Sequence, residues 1–289
     1  MKSKKIISII AVTMLLILLI AGCSNNKKSD AEKPVIAVTI VPEKTFVEKV
    51  CGDMFEVITL VPAGNSPANY EPTPKEMEQF SKAKLYFSIG VPTEQANILS
   101  KATDMKDMKI IKLQDEVAQE YSPREFAPGK IDPHIWLSPK RVKTMVESII
   151  REVSSFDPDN EDIYKENGEK YIAELDKLDK DIQELKDIKN RKFIVFHPAF
   201  GYLADDYNLQ MYALEENGKD ATPQRLKEMI DLAKAENIKA IFYQSEISSK
   251  QAQSFADEIA GKTVQLSPLA PNYIENIENM IQHLTEVME

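Results

Sequence analysis

Residues 139–188 read as two helical segments separated only by Ser155-Phe-Asp-Pro-Asp159. In the second segment Tyr171, Leu175, Leu178, Ile182 and Leu185 recur at alternating spacings of four and three, with Asp, Glu and Lys between them. That pattern lays one apolar stripe along a helix whose other faces are solvated. From Asn160 to Ile188 the helix would be roughly 40 Å long at about 1.5 Å per residue, the length of a small domain. A helix of that length cannot be enclosed by the segments on one side of it, so it reads as a strut between two lobes. A coiled-coil oligomerisation helix is the alternative, disfavoured because only about two heptads are clean.

The flanks support the lobes. Val35-Ile-Ala-Val-Thr-Ile40 is a buried strand, continuous in apolar residues. A helix follows from Pro42 to about Val50, and Gly52 stops it. A strand at 55–61, a proline-rich loop at 62–74, a short helix to Ala83, a strand at 85–89 and a helix at 93–101 come next. Residues 108–113 offer a fourth strand, and 114–130 read as loop. Beyond the spine, 192–196 is a buried strand ending at His197. Helices at 199–207, 222–236 and 248–260 alternate with strands at 209–212, 240–243 and 263–266, and a terminal helix starts near Pro271. Strand–helix alternation at this spacing argues for right-handed crossovers, hence a mainly parallel sheet flanked by helices in each of two α/β lobes. The expected division is 1–22 leader, 23–33 flexible tether, 34–138 first lobe, 139–188 linking helices with the long spine at 160–188, and 189–289 second lobe. At 289 residues each lobe can bury a core of its own.

Lys2, Lys4 and Lys5 precede an apolar run at 6–20, which meets Leu19-Ile-Ala-Gly-Cys23. A basic start, a short apolar run and small residues before a cut describe a secretory signal. The run is short for a spanning helix, though a signal-anchor is the alternative. The small pair followed by Cys resembles the lipobox of bacterial lipoproteins, which implies lipidation (palmitate among the acyl groups) at Cys23 and an extracytoplasmic protein anchored to the outer face of the cytoplasmic membrane. Removing residues 1–22 takes away three lysines and no acid, moving the net charge from −10 to −13. So acidic a chain has no electrostatic footprint for nucleic acid. Cys51 is then the only unmodified thiol, which excludes a disulfide framework.

Three histidines exist, in different contexts. His283 falls on the polar part of the terminal helix and reads as solvated. His134 sits in the proline-bracketed Asp132-Pro-His-Ile-Trp-Leu-Ser-Pro139, and His197 ends a buried strand where Pro198 forces a turn. Ligands of parallel sheets collect beyond the carboxyl ends of strands. Two imidazoles meeting across an interlobe cleft would suit a borderline metal such as zinc, against the plain reading of unrelated loop and core histidines.

Asn69-Tyr-Glu-Pro-Thr-Pro74, the Asp132–Pro139 run and Phe196-His-Pro-Ala-Phe-Gly-Tyr202, in this order around a long helix, resemble the zinc- and manganese-binding receptors of ABC importers that have a rigid helical backbone. The resemblance covers nearly the whole chain after the leader. It implies a cleft between two α/β lobes, capture of a divalent cation, and delivery to an ABC permease and its ATPase by a lipid-tethered, monomeric receptor. His134 and His197 match two of the family's metal ligands. Elsewhere the pattern fails. The family's first histidine position holds Ala68 after Pro67, its second-lobe carboxylate falls near Ser267, a further glutamate position is Gln244, and no histidine-rich loop lies in 114–130. Tyr70, Glu71, Asn69 and Glu246 are the candidates for filling the sphere, though Glu71 also reads as a loop anchor, Tyr70 as cleft wall and Glu246 as a charge at the next helix's N-terminus. Water or a small chelator arriving with the metal are the other ways to complete it.

The expectation is therefore an extracytoplasmic metal receptor with Zn2+ as transported ligand, and Mn2+ second because it prefers oxygen. A divergent member binding a metal–chelate, and a metal-free surface adhesion or interaction lipoprotein, are the alternatives that Ala68 and Ser267 keep open. An enzyme is disfavoured: no glutamate neighbours either histidine in sequence, and no Gly-x-Ser-x-Gly occurs.

Overall fold

The computed structural model describes residues 32–185, 188, 190–216, 218–246 and 250–288. The expected leader, Cys23 and the tether up to residue 31 lie outside the described residues. Four parallel strands, β1 (Val35–Val38), β2 (Glu56–Thr59), β3 (Ala83–Ser88) and β4 (Lys109–Lys112), form the first sheet in the order β2-β1-β3-β4. A hairpin of β5 (Glu125–Ala127) and β6 (Lys130–Ile131) follows. The second sheet is β7 (Lys192–Val195), β8 (Gln210–Ala213), β9 (Ala240–Gln244) and β10 (Lys262–Leu266), parallel and in the order β10-β9-β7-β8. Renumbered within its own lobe, that order is the same as in the first sheet. The two lobes therefore share a topology as well as an element order.

Alternation along the strands gives each sheet two apolar faces. Ile36 and Val38 of β1, and Phe193 and Val195 of β7, join one continuous central core. Val35 and Ala37 face a separate cluster on the outer side of the first sheet, and Ile194 one on the outer side of the second. This period of two with both sides apolar is why these strands read as unbroken hydrophobic runs.

Helices α1 (Val41–Cys51), α2 (Pro74–Phe80), α3 (Leu99–Ala102, after a π-helical turn at Glu94–Ile98) and α4 (Leu113–Glu120) belong to the first lobe. Thr73 caps α2 reciprocally with Glu76, which accepts from the Thr73 N–H. The linking pair is α5 (Pro139–Phe156) and α6 (Glu161–Gln183). The second lobe adds α7 (Gly201–Asp206), α8 (Pro223–Ala235), α9 (Lys250–Glu258) and α10 (Tyr273–Met288). Asn237 ends the α8 segment with a φ of 53°, the left-handed conformation asparagine tolerates.

The spine is shorter than expected, and its apolar stripe is buried as the spacing predicts. It stops at Gln183, where Glu184 caps it, giving 23 residues. Its buried stripe is Tyr164, Gly168, Tyr171, Leu175, Leu178 and Ile182. The stripe packs on α5, on α1 of the first lobe and on α10 of the second. Phe46 of α1 lies 6.4 Å from the Tyr171 ring and meets Tyr273 of α10 edge-on at 5.0 Å. Helices of both lobes thus touch at the spine. Gly168 sits tight against α5: a Cβ there would stand 2.2 Å from Ile150 Cδ1.

Residues 114–130 correct the sequence reading most. They hold α4 and the β5–β6 hairpin rather than featureless loop. Only Leu113 and Val117 bury from α4, too few apolar positions for periodicity to reveal it. Cys51 is buried and free, and burial pushes its thiol up to about 12, which leaves it inert as a nucleophile or ligand.

Candidate metal centre

A sheet of order 2-1-3-4 has its topological switch between the first and third strands, and crevices open beyond the carboxyl ends there. In the second lobe those ends carry His197, two residues past β7, and Gln244, the last residue of β9. In the first lobe the corresponding space is filled by the chain's own carboxylates. Glu43 accepts from the N–H groups of Thr39 and Ile40 at 3.0 Å, and Glu94 from those of Ile89 and Gly90 at 2.9 and 2.8 Å. Thr39 Oγ1 donates to Glu94 and contacts the Tyr86 hydroxyl. Both carboxyls are buried; burial pushes both pKa values up, and for Glu43 the neighbouring Glu94 charge adds to it. The first lobe therefore offers the cleft its loops. One of them is fixed by Thr93, whose N–H reaches Pro67 O at 3.1 Å and whose hydroxyl donates to Tyr70 O.

His134 comes from the loop after β6, at the start of a short 3-10 turn, Ile135–Leu137. The aspartate two residues earlier shapes that turn. Asp132, fully buried, accepts from the His134 N–H at 3.0 Å and contacts its Nδ1 at 2.7 Å. Asp132 is itself held by Arg124 Nη1 at 3.1 Å, and Tyr202 Oη donates to its carbonyl at 2.9 Å. On the other side of the cleft His197 Nδ1 lies 2.9 Å from Glu215 Oε2. Glu215 follows β8, the neighbour of β7, so parallel pairing delivers it to His197.

The result is one arrangement repeated twice. Each imidazole hands its Nδ1–H to a nearly buried carboxylate, which turns the Nε2 lone pair outward. The two Nε2 atoms then face each other at 3.4 Å. Two lone pairs at that distance repel unless a proton or a cation lies between them. For zinc bound tetrahedrally at 2.0–2.1 Å the ligand–ligand edge is about 3.3 Å, so the spacing suits one shared ion. Burial lowers the His134 pKa, outweighing the Asp132 contact, and a neutral imidazole is the form that coordinates.

The rings stand in a cleft of 530 Å³ whose walls include Ala68, Gly90, Phe126, Trp136, Gln244 and Leu269. Trp136 is buried 5.2 Å from the His134 ring and donates from Nε1 to Pro268 O at 2.9 Å, a tie between the lobes at the back of the cleft. A second tie is Asp206 of α7, which accepts from Ser138 Oγ at 2.7 Å and Arg141 Nε at 2.8 Å.

The other candidate ligands are not brought in. Tyr70 gives its hydroxyl to Glu76 at 2.9 Å, while Asn69 and Glu71 are exposed; none lines the cleft. Glu246 accepts from Ser245 Oγ at 2.7 Å and is also absent from the cleft walls. Ala68 does line it, and supplies no donor atom. Among the described residues no group of three or more His, Cys, Asp and Glu side chains converges on a common point. Sequence reasoning missed Asp132 and Glu215 as partners of the imidazoles. Asp132 was visible within the Asp-Pro-His triplet, but Glu215 is 18 residues from its histidine and only sheet pairing reveals it. It is a glutamate beside a histidine after all, on the ring edge turned away from the facing Nε2 atoms. It can orient the ring there, and it is badly placed to activate water.

The family described as zinc-uptake complex component A, periplasmic (ZnuA) matches residues 36–287. The high-affinity zinc uptake system protein ZnuA of Bacillus subtilis is 31% identical over 87% of this chain and 85% of its own length. The zinc-binding lipoprotein AdcA of Streptococcus pneumoniae strain R6 is 30% identical over 99% of this chain, which spans 61% of that longer protein. A crystal structure of a ZnuA superposes with a TM-score of 0.84 at 36% identity, covering 89% of this chain and all of the other.

Proposed function

The chain belongs to the ZnuA family of zinc-uptake components, and from that premise we propose that it is the extracytoplasmic receptor of an ABC importer, carrying zinc in the cleft between His134 and His197. The observation that carries this reading is the pair of Nε2 atoms 3.4 Å apart, each backed by a carboxylate on Nδ1. Imidazole donors favour zinc over manganese. The family is one of transport receptors, and the reading makes the protein a carrier, not an enzyme.

His134 and His197 are the two protein ligands; Asp132 and Glu215 fix their tautomers and supply negative charge to the cation from the second layer. One ligand comes from each lobe, so the ion bridges them. The ties through Trp136 and Asp206, with α6 packed on both lobes, restrict closure to small movements around the ion. Delivery then requires a permease to part the two imidazoles. The leader at 1–22 and lipidation of Cys23 would hold the receptor at the outer face of the membrane, a reading supported by the lipoprotein relative.

Calorimetric titration with zinc, manganese and nickel tests this. Saturable binding of one zinc, weaker manganese binding, and loss with either His134→Ala or His197→Ala are expected. Zinc binding that survives both substitutions would reject the assigned pair.

A further inference from the structure

We infer that the cleft takes zinc together with a small carboxylate-bearing chelator, of the size of an amino acid or a tricarboxylic acid, in place of the bare ion. This rests on the assignment of His134 and His197 as the protein ligands and goes further in naming what completes the coordination sphere.

Three independent observations point the same way. The first is the donor count. Zinc wants about four ligands, and among the described residues the protein converges only two imidazole nitrogens on the point between the lobes. The second is space. A water takes about 30 Å³ of liquid volume, so an ion finished by two waters would use a small part of the 530 Å³ cleft. That volume lies within the roughly 300–1,000 Å³ of small-molecule sites. Ala68, Phe126 and Leu269 give the cleft apolar wall that a hydrated ion cannot use and a carbon skeleton can.

The third is Gln244. It closes β9 at the switch point of the second sheet, is 7% exposed, and lines the cleft with the histidines. Its Nε2 is buried and has no hydrogen-bond partner among the described residues. A buried amide N–H without an acceptor is costly. An amide nitrogen bearing its hydrogens cannot coordinate zinc, so the ion alone does not satisfy it. A carboxylate oxygen on a ligand of the zinc does so once the amide turns its N–H into the cleft that Gln244 lines. The chelator thus gives two donors to the metal, accepts from Gln244 and lays its carbon atoms on Phe126 and Leu269.

Equilibrium dialysis of the purified full chain in mild detergent separates the outcomes. Radiolabelled zinc, L-histidine and citrate are dialysed singly, and each chelator is then dialysed with zinc. The expected result is that a chelator is retained only with zinc, one per ion, and that its presence strengthens zinc retention roughly tenfold, the gain of about one added interaction. The sign is diagnostic, because a chelator in the bath competes with a site for the bare ion and would weaken retention there. Histidine or citrate alone acting in this way identifies an amino-acid or a hydroxycarboxylate source. Gln244→Leu should cut retention of the chelator roughly tenfold at an unchanged melting temperature. Tight zinc retention with both chelators left in the bath overturns the inference and leaves the zinc reading standing. Chelator retention independent of zinc also overturns it, and absence of zinc retention under every condition overturns both.

Discussion

Glu215 offers a sharp test of the proposed metal centre, because it touches the His197 ring and not the proposed cargo. Substituting Glu215→Ala removes the acceptor 2.9 Å from His197 Nδ1, leaving the imidazole free to rotate and to carry its proton on Nε2, where it blocks coordination. The carboxylate is only 9% exposed, so salt screens it little. A hydrogen bond to a charged group is worth about 1.5–3 kcal/mol, and removing a partner of a metal-bound histidine costs about 10–100-fold in affinity. The two converge near 2 kcal/mol, a loss of about 30-fold. The conservative Glu215→Gln keeps an acceptor and loses the charge, and its amide can also present N–H to Nδ1 and favour the wrong tautomer. It should therefore lose affinity too, despite nearly unchanged shape. The assay is zinc titration against a competing chromophoric chelator, with thermal melting to verify the fold. If both variants melt normally and bind zinc within threefold of the parent, the orienting role of Glu215 is refuted.

Zinc affinity should fall on acidification, with the His134 contribution falling below the ordinary histidine range near pH 6.5, because burial lowers its pKa. The same sign holds for stability: a histidine kept neutral by the fold supports it above that range and withdraws the support as pH falls through it, which melting temperatures across pH 5–8 would check. Gly201→Ala should weaken zinc binding several-fold without touching a ligand, since a Cβ there would stand 2.5 Å from Arg124 Cζ and push Arg124 off Asp132; unchanged titration of a folded variant would refute it. Ala68→His adds an imidazole to a cleft wall and should strengthen binding of zinc alone at least tenfold, measured by the same competition. Trp136, the chain's only tryptophan, sits 5.2 Å from the His134 ring, so its fluorescence should change on zinc addition in the parent and stay flat in His134→Ala.

The sequence by itself determined the layout. Apolar runs bounded by turn residues marked all eight sheet strands to within a few residues, and the four–three stripe marked the spine, because burial on both faces of a strand and one face of a helix leaves periodic traces. It also isolated His134 and His197, since a proline bracket and a strand end are local features. Helix α4 left no such trace, with two buried residues in eight, and the spine's last turn was overread because Leu185 continues the apolar rhythm after the helical hydrogen bonds have stopped.

What the tertiary structure decided is what meets what. The spine's apolar stripe is legible in sequence; only folding shows that helices of both lobes cover it. Glu215 reaches His197 only because β8 lies parallel to β7, and Gln244 reaches the cleft only because β9 ends at the switch point. Tyr70, a ligand candidate in sequence, is turned aside by Glu76. Local sequence sets which residues a segment offers, whereas distances between groups tens of residues apart follow from sheet order and helix packing, which no local pattern encodes.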